Sequence, residues 1–419
     1  MANDPKKRGR AIRAAKVKAK ADEFRPVRLS LGIHLEETRP NAAAIEGAPS
    51  GIPAIAGRTL TAQQDGNDVS RTPIRIQSLQ EFEAVFGAHA APAPDTGTVH
   101  DAAGLFFGNG GYACWIVSTG PLSAPISAED HRVALLVLEA CAEPDLLIFP
   151  EVALLGREAC DVQLEALRHC AEHGNRLFLA EPLEQLADDP SFDWRAGIDE
   201  FRQRFAGIPV EHARSGAAYT PRLILADGRR VSPGAAVAGV IAAVDGSKGI
   251  WKAPAGEGLA AMAGLSRSID DHTQGGLNVD PAHGLSINAI RDLPGLGITV
   301  WGARTLAGND NEWRYVNVRR FATWLRRSVE RGLGWAASAS NDAAAWSRAR
   351  KEVGTFVSEL WRQGALIGLK PDEAFFVHAG EGSTMTHADV KAGRLIVEIG
   401  LAPIKPREFL ILRVEVQTR

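Results

Sequence analysis

Two carboxylates sit where an open α/β sheet places reactive groups: Glu151 follows the apolar run Asp145 to Phe149, and Glu181 follows Arg176 to Ala180. A carboxyl group just past the end of a buried strand can serve as a general acid or base once burial and a neighbouring cation tune it, with His173 or His212 as a partner. That defines one reading, an α/β enzyme built on Glu151 and Glu181. Against it, no Ser, Cys or Lys stands in a nucleophile turn, and Pro150-Glu151 and Glu181-Pro182 are ordinary loop openings. A second set, Cys160, His169, Cys170 and His173, falls on one expected helix. Cys170 and His173 have a spacing that could share a metal, but cysteine is also a small apolar residue at helical core positions. The glycines Gly108 to Gly111 leave a short helix and enter the strand Tyr112 to Val117, the reverse of the order a dinucleotide loop requires. No catalytic residue, metal or cofactor is expected.

The elements around these residues alternate. Helix Ala128 to Cys141 follows the N-cap Ser127 and leads to the strand Asp145 to Phe149. Helix Arg157 to His173 leads to strand Arg176 to Ala180, and a helix from about Asp193 to Phe205 leads to strand Tyr219 to Ala226. Such a rhythm implies a small, largely parallel sheet. Ahead of it, Ser78 caps a helix carrying Leu79, Phe82 and Phe86, with Gly87 as its stop. Gly228 to Gly239 reads as a turn-rich passage into Val240 to Ala242. Further on, Ile287, Ile290 and Leu293 line a short helix broken by Pro294-Gly295, and Ile298 to Trp301 reads as a buried strand. Val318, Phe321, Leu325 and Val329 then mark a helix that stops at Gly332 and carries Arg319, Arg320, Arg326, Arg327 and Arg331. The helix Asp342 to Gln363 sets Trp346, Ala349, Val353, Phe356 and Leu360 on one face. Arg348, Lys351, Glu352, Glu359 and Arg362 stand on the other, a solvated face by default.

Both ends of the chain carry unusual segments. Residues 1–20 hold eight basic residues against the single acid Asp4 and almost no large apolar residue, so they are expected to be disordered alone. Val27, Leu29, Leu31, Ile33 and Leu35 alternate with Arg28, Ser30, Gly32, His34 and Glu36, and Leu410, Leu412, Val414 and Val416 near the C-terminus alternate with Ile411, Arg413, Glu415 and Gln417. Each is a period-two strand with one apolar face that needs a sheet to join. Between them, 419 residues with 45% apolar content suffice for two or three domains around a sizeable core. The net charge of −3 gives no field favouring nucleic acid or membrane, and no apolar run reaches bilayer length. Four cysteines form no disulfide framework. The protein is expected to be kept in the cytoplasm, or released only by lysis.

Six segments in order, Lys248 to Ala255 (KGIWKAPA), Asn288 to Arg291 (NAIR), Val300 to Leu306 (VWGARTL), Tyr315 to Arg320 (YVNVRR), Leu360 to Leu366 (LWRQGAL) and Ile399 to Phe409 (IGLAPIKPREF), resemble the conserved end of the contractile tail sheath family. Thr384 to Asp389 (TMTHAD) resembles that family's helix-initiating T-M-T-x-x-D, and Gly32 to Glu37 matches its first arm loosely, with His34 in place of the usual aromatic. The family comprises the sheaths of contractile phage tails, R-type pyocins and extracellular contractile injection systems.

The resemblance implies an α+β or α/β protomer of two domains. Residues 1–26 would be a basic extension, 27–45 a first arm and the start of a discontinuous inner domain, 46–245 an inserted outer α/β domain, 246–407 the tube-facing inner domain, and 408–419 a C-terminal arm. It also implies a structural subunit that polymerises as stacked hexameric rings around an inner tube and contracts to drive the tube through a target envelope. The two apolar strands would join sheets of neighbouring subunits. Arg348, Lys351 and Arg362 are candidates for facing the tube; the arginine-rich helix after Val318 is a rival place for contacts, with adjacent subunits. The implied partners are further copies, the inner tube protein, and baseplate and cap proteins, with no nucleic acid and no stable membrane insertion. A minor, baseplate-proximal sheath paralogue is an alternative within the same family.

Overall fold

The computed structural model describes residues 45–88, 98–403 and 410–419, so the first apolar strand, Val27 to Leu35, and the segment holding His34 lie outside the described residues. Eight strands, β1 (Pro53–Thr59), β2 (Ile74–Ile76), β3 (Cys114–Pro121), β4 (Leu146–Ile148), β5 (Leu177–Ala180), β6 (Gly216–Thr220), β7 (Ile287–Leu293) and β8 (Gly297–Val300), form one sheet in the order β8-β7-β6-β5-β4-β1-β3-β2. The six inner strands run parallel, and β2 and β8 pair antiparallel at the two edges. The expected alternation of strand and helix therefore gives a mixed but mainly parallel sheet. Leu147, Phe149, Phe178 and Ala180 face one core, and Leu146, Ile148, Leu177 and Leu179 face the other. Strands buried on both faces must read as continuous apolar runs, as these do.

Helices α3 (Ala128–Leu138), α4 (Ala159–His173) and α5 (Trp194–Phe205) cover the first face, and α1 (Leu79–Phe86), α2 (Val99–Gly108) and α6 (Gly234–Lys248) the second. Their starts are set by capping oxygens: Ser78 accepts from Glu81, Ser127 from Asp130, and Asp193 from Arg195 and Ala196. The strand expected at Tyr219 to Ala226 begins earlier, at Gly216, and ends at Thr220.

Two readings of the sequence give way to tertiary packing. The passage Gly228 to Gly239, with its many small residues, is mostly the buried helix α6. A Cβ on Gly239 would stand 2.4 Å from the Phe106 carbonyl oxygen, so glycine is there to let α2 and α6 touch, not to turn the chain. Ile287 to Leu293, expected as a helix, is β7, hairpinned to β8 through Gly295 and Gly297 at positive φ. Ile287 and Ile290 are spaced like a helical pair, yet they point into opposite cores of a strand buried on both sides. β7 and β8 also carry the sheet past residue 245, which lies within α6.

A third core lies beyond the sheet. Helices α7 (Val316–Gly332) and α8 (Ala343–Arg362) pack Phe321, Leu325, Val353 and Val357 with Leu395, Val397 and Val414 from a three-stranded antiparallel sheet. That sheet orders β9 (Phe375–His378), β10 (Arg394–Leu401) and β11 (Leu410–Gln417) with β10 in the middle. The turn before β10 is held by helix α9 (His387–Lys391), whose cap Thr386 exchanges hydrogen bonds with Asp389, as the TMTHAD segment led one to expect.

Candidate functional site

One side chain ties the large sheet to the C-terminal layer. Arg320, on α7, donates to Asp145 Oδ2 at 2.7 Å, ahead of β4, and to both carboxylate oxygens of Asp245 on α6 at 2.8 and 2.7 Å. Asp145 also accepts the backbone N–H groups of Gly51 and Ile52, at 3.1 and 2.7 Å, at the entry to β1. Arg320 is only 5% exposed. Burial alone would weaken its charge, but the two carboxylates hold its proton more firmly than in water. Burial pushes the Asp245 carboxyl up, and Arg320 opposes that shift. An ion pair this dry is justified only when every partner is in place, so the cluster is a rigid joint.

Most other arginines of α7 also turn inward. Arg326 donates to the carbonyl of Gly174 at 2.9 Å, just past α4, and Arg327 to those of Ala142 and Glu143 at 3.2 and 2.9 Å. Arg176 reaches the carbonyls of Leu138 and Cys141 at the end of α3. Helix C-termini carry partial negative charge, which cations at these positions offset. The arginine-rich helix thus serves the chain's own interior first. Nearby, Asn288 explains two of the family-like segments: its amide donates to the carbonyls of Ala218 and Arg304 and accepts the Arg304 N–H at 2.7 Å. A Cβ on Gly302 would lie 2.6 Å from the Asn288 Oδ1, so the NAIR and VWGARTL segments require one another. Asn317 likewise donates to the carbonyl of Trp251, joining YVNVRR to KGIWKAPA.

The two strand-end carboxylates are buried, each with its own arginine. Glu151 accepts the Arg58 N–H at 2.7 Å and its guanidinium at 3.1 Å, tying β4 to β1. Burial raises its pKa and Arg58 opposes the shift. Glu181 lies 3.6 Å from Arg222 Nε, with the Ser232 hydroxyl beside it. Burial outweighs Arg222 and pushes Glu181 up to about 7. The two glutamates follow neighbouring parallel strands and, among the described residues, share no hydrogen-bond or ion-pair partner.

Because its folded pKa lies above the unfolded value, Glu181 supports stability below about pH 4.3 and withdraws that support as pH rises through about 7. Glu181→Gln should therefore lose the part of the stability decline seen between pH 5 and 8, melting closer to wild type at pH 5 and above it at pH 8. Parallel melting curves for the two proteins across that range would rule this out.

Cys160 and Cys170 are buried thiols, each pushed up to about 12 by burial, and His169 is pushed down to about 3 by burial beside Arg176, whose guanidinium lies 2.9 Å from its Nε2. Among the described residues no group of three His, Cys, Asp or Glu is placed to hold a metal. His212 lies outside the strand ends, in a short helical turn after Pro209. On α8, Arg348 pairs with Glu352 at 2.8 Å and lies 3.8 Å over the Trp335 ring, and Arg362 pairs with Glu359 at 3.3 Å. Glu352, expected on a solvated face, is buried and accepts from the Trp335 indole. Leu410 and Val414 are buried in the third core, with Leu412 and Val416 packed against it, because β11 pairs with β10 of its own chain from Leu401–Leu410 to Arg394–Gln417. Sequence reasoning missed the Arg320 joint. Its signals were an arginine inside YVNVRR and an aspartate opening an apolar strand, which no spacing rule connects.

Comparison with known proteins finds likenesses in sequence and fold. Residues 308–417 match the phage tail sheath C-terminal domain. Over 92% of its length the chain resembles a chain of the anti-feeding prophage baseplate, with 26% identity, a TM-score of 0.70 and 98% of that chain covered. It also resembles the sheath complex of the extracellular contractile injection system PVC in the contracted state, with 28% identity, a TM-score of 0.68, and 92% and 97% of the two chains covered. A sheath tail protein of Listeria innocua, 10% identical, shares the fold at a TM-score of 0.64 over 90% of this chain and 98% of its own. A comparison with curated proteins finds no match. The chain resembles the sheath proteins of contractile injection systems in fold over 92% of its length, and its residues 308–417 match the phage tail sheath C-terminal domain.

Proposed function

We propose that the chain is a structural subunit of a contractile sheath. It polymerises as stacked hexameric rings around an inner tube, on a baseplate, and contracts to drive the tube through a target envelope. What carries the reading is the likeness over 92% of the chain to sheath-system proteins, together with the sheath domain at residues 308–417. The Arg320 joint supports it, since a subunit that transmits force must keep its layers from sliding. In this reading the protomer has two parts, an outer part built on the large sheet and an inner part built on α7, α8 and β9 to β11. β7 and β8 go with the outer part because they pair into its sheet. The apolar strand Val27 to Leu35 joins a neighbour's sheet, and β11, which occupies its own sheet in the free protomer, exchanges into a neighbour's with the same alternation of faces. Arg348, Lys351 and Arg362 face the tube, whose weak, solvent-screened pairs suit a contact that releases on firing. Assembly takes place in the bacterial cytoplasm, and the product is a phage tail or phage tail-like particle.

Electron microscopy of the chain produced with and without the tube protein tests this: tubes of uniform diameter with six-fold end views are expected. Only irregular aggregate under both conditions would refute it. Reversing charge at Arg348 and Lys351 together should lower tube-templated assembly roughly tenfold while sparing tube-free polymers. The likeness to a baseplate chain favours a second reading, a minor sheath paralogue next to the baseplate. Immunogold label confined to one end of the particle would select it.

A further inference from the structure

Several arginines drawn into this fold meet acids, and others, Arg176 and Arg327, meet backbone carbonyls. Arg58 has Glu151, Arg222 has Glu181, Arg229 has Asp101 and Asp227, and Arg320 has Asp145 and Asp245. Arg214, between α5 and β6, and Arg319, in the first turn of α7, are different. Their guanidinium carbons stand 4.7 and 5.9 Å from the centre of one ring, the indole of Trp313. Arg319 donates to the Thr323 hydroxyl; among the described residues the Nε of each is buried without an acceptor, as are those of Arg58 and Arg320, whose other nitrogens, however, meet carboxylates. Among the described residues no carboxylate pairs with either side chain. Arg326, the third cation of the group, is already committed to Glu330 and the Gly174 carbonyl. Burial, then Arg214 and Arg326, lower Arg319 to about 10, so it keeps its charge at neutral pH but holds it less firmly than in water. Desolvated charge without a counter-ion is costly, and a buried N–H without an acceptor costs again.

We propose that the Arg214–Trp313–Arg319 notch is an oxyanion site, completed in the assembly by the side-chain carboxylate of a second copy of this chain. The choice of a second copy rests on the sheath reading, in which this chain packs against further copies of itself. A guanidinium with a free Nε–H presents a donor edge that matches a carboxylate, and the indole holds both edges in place.

Two measurements on the full chain separate the site from its occupant. The first compares melting of wild type and of the double variant Arg214→Gln/Arg319→Gln in sodium sulfate and in sodium chloride of equal ionic strength. Sulfate stabilises proteins generally, so only the difference between the two proteins counts. An extra rise of about 2 °C for wild type, absent in the variant, is expected for an occupied site. The second is the amount of polymer pelleted from each protein, expected to fall at least about tenfold in the variant. Arg319→Lys, which keeps charge without the planar fork, should fall between them. No sulfate difference overturns the site, as does a variant that melts well below wild type without added anion, because the arginines are then structural. A sulfate difference with normal pelleting overturns the second copy in favour of a free anion. If wild type itself never polymerises but the sulfate difference persists, the sheath reading and the second-copy ligand fall while the oxyanion site stands.

Discussion

Replacing Arg320 by methionine is expected to destabilise the protein by about 3–5 kcal/mol at neutral pH, because the change strands two carboxylates in a dry seam. Asp145 keeps its bonds to the Gly51 and Ile52 N–H groups, but Asp245 loses the guanidinium that met both its oxygens. The pH dependence identifies the cause. Asp245 is already raised by burial, and Arg320 opposes that rise, so the variant raises it further. A carboxyl whose folded pKa exceeds its unfolded one supports stability below the unfolded value and loses that contribution as pH climbs through the folded one. The deficit relative to wild type should thus be greatest near pH 7.5 and shrink towards pH 4.5, read by urea unfolding at both. An equal deficit at the two pH values would show that lost packing, not stranded charge, is responsible. Adding Asp245→Asn to the variant should recover part of the loss at pH 7.5.

Removing residues 410–419 is expected to unfold the C-terminal layer, at a cost of at least about 4 kcal/mol, since Leu410 and Val414 alone are buried side chains whose loss leaves cavities. β10 would also lose its pairing along the whole length of β11 and expose a bare edge. The effect should appear as amide hydrogen exchange of α7, α8 and β10 accelerated by orders of magnitude while β4 and β5 stay protected. Unchanged protection in α8 and β10 would mean that β11 contributes nothing to the free protomer and belongs wholly to its neighbour. This departs from what an arm seeking a foreign sheet suggests, and the reason is geometric: the strand already has a sheet at home.

Much of the fold was legible because its local signals agree with its global ones. The apolar runs before Glu151 and after Arg176, and the hydroxyl or carboxylate caps at Ser78, Ser127 and Thr386, fix elements without reference to the rest of the chain. Failures came where packing erases periodicity. β7 is buried on both faces, so no alternation survives in it, and α6 is apolar all round, so its glycines read as breaks although they are contact points. The site was less legible than the fold. Segments such as NAIR and VWGARTL could be matched to a family, but that Asn288 needs Gly302, and Arg320 needs Asp145 and Asp245, are facts of long-range pairing with no spacing rule behind them.

The home pairing of β11 bears on timing. A strand that leaves one sheet to enter an equivalent one exchanges like for like, so hydrogen bonds and buried area nearly cancel and little driving force remains in the transfer itself. What is left is the barrier of detaching β11 from β10. Under the proposed exchange, protomers accumulate in solution without spontaneous growth and polymerise after a lag that a preformed end abolishes, so the seed and not the supply of subunits sets when a particle is built.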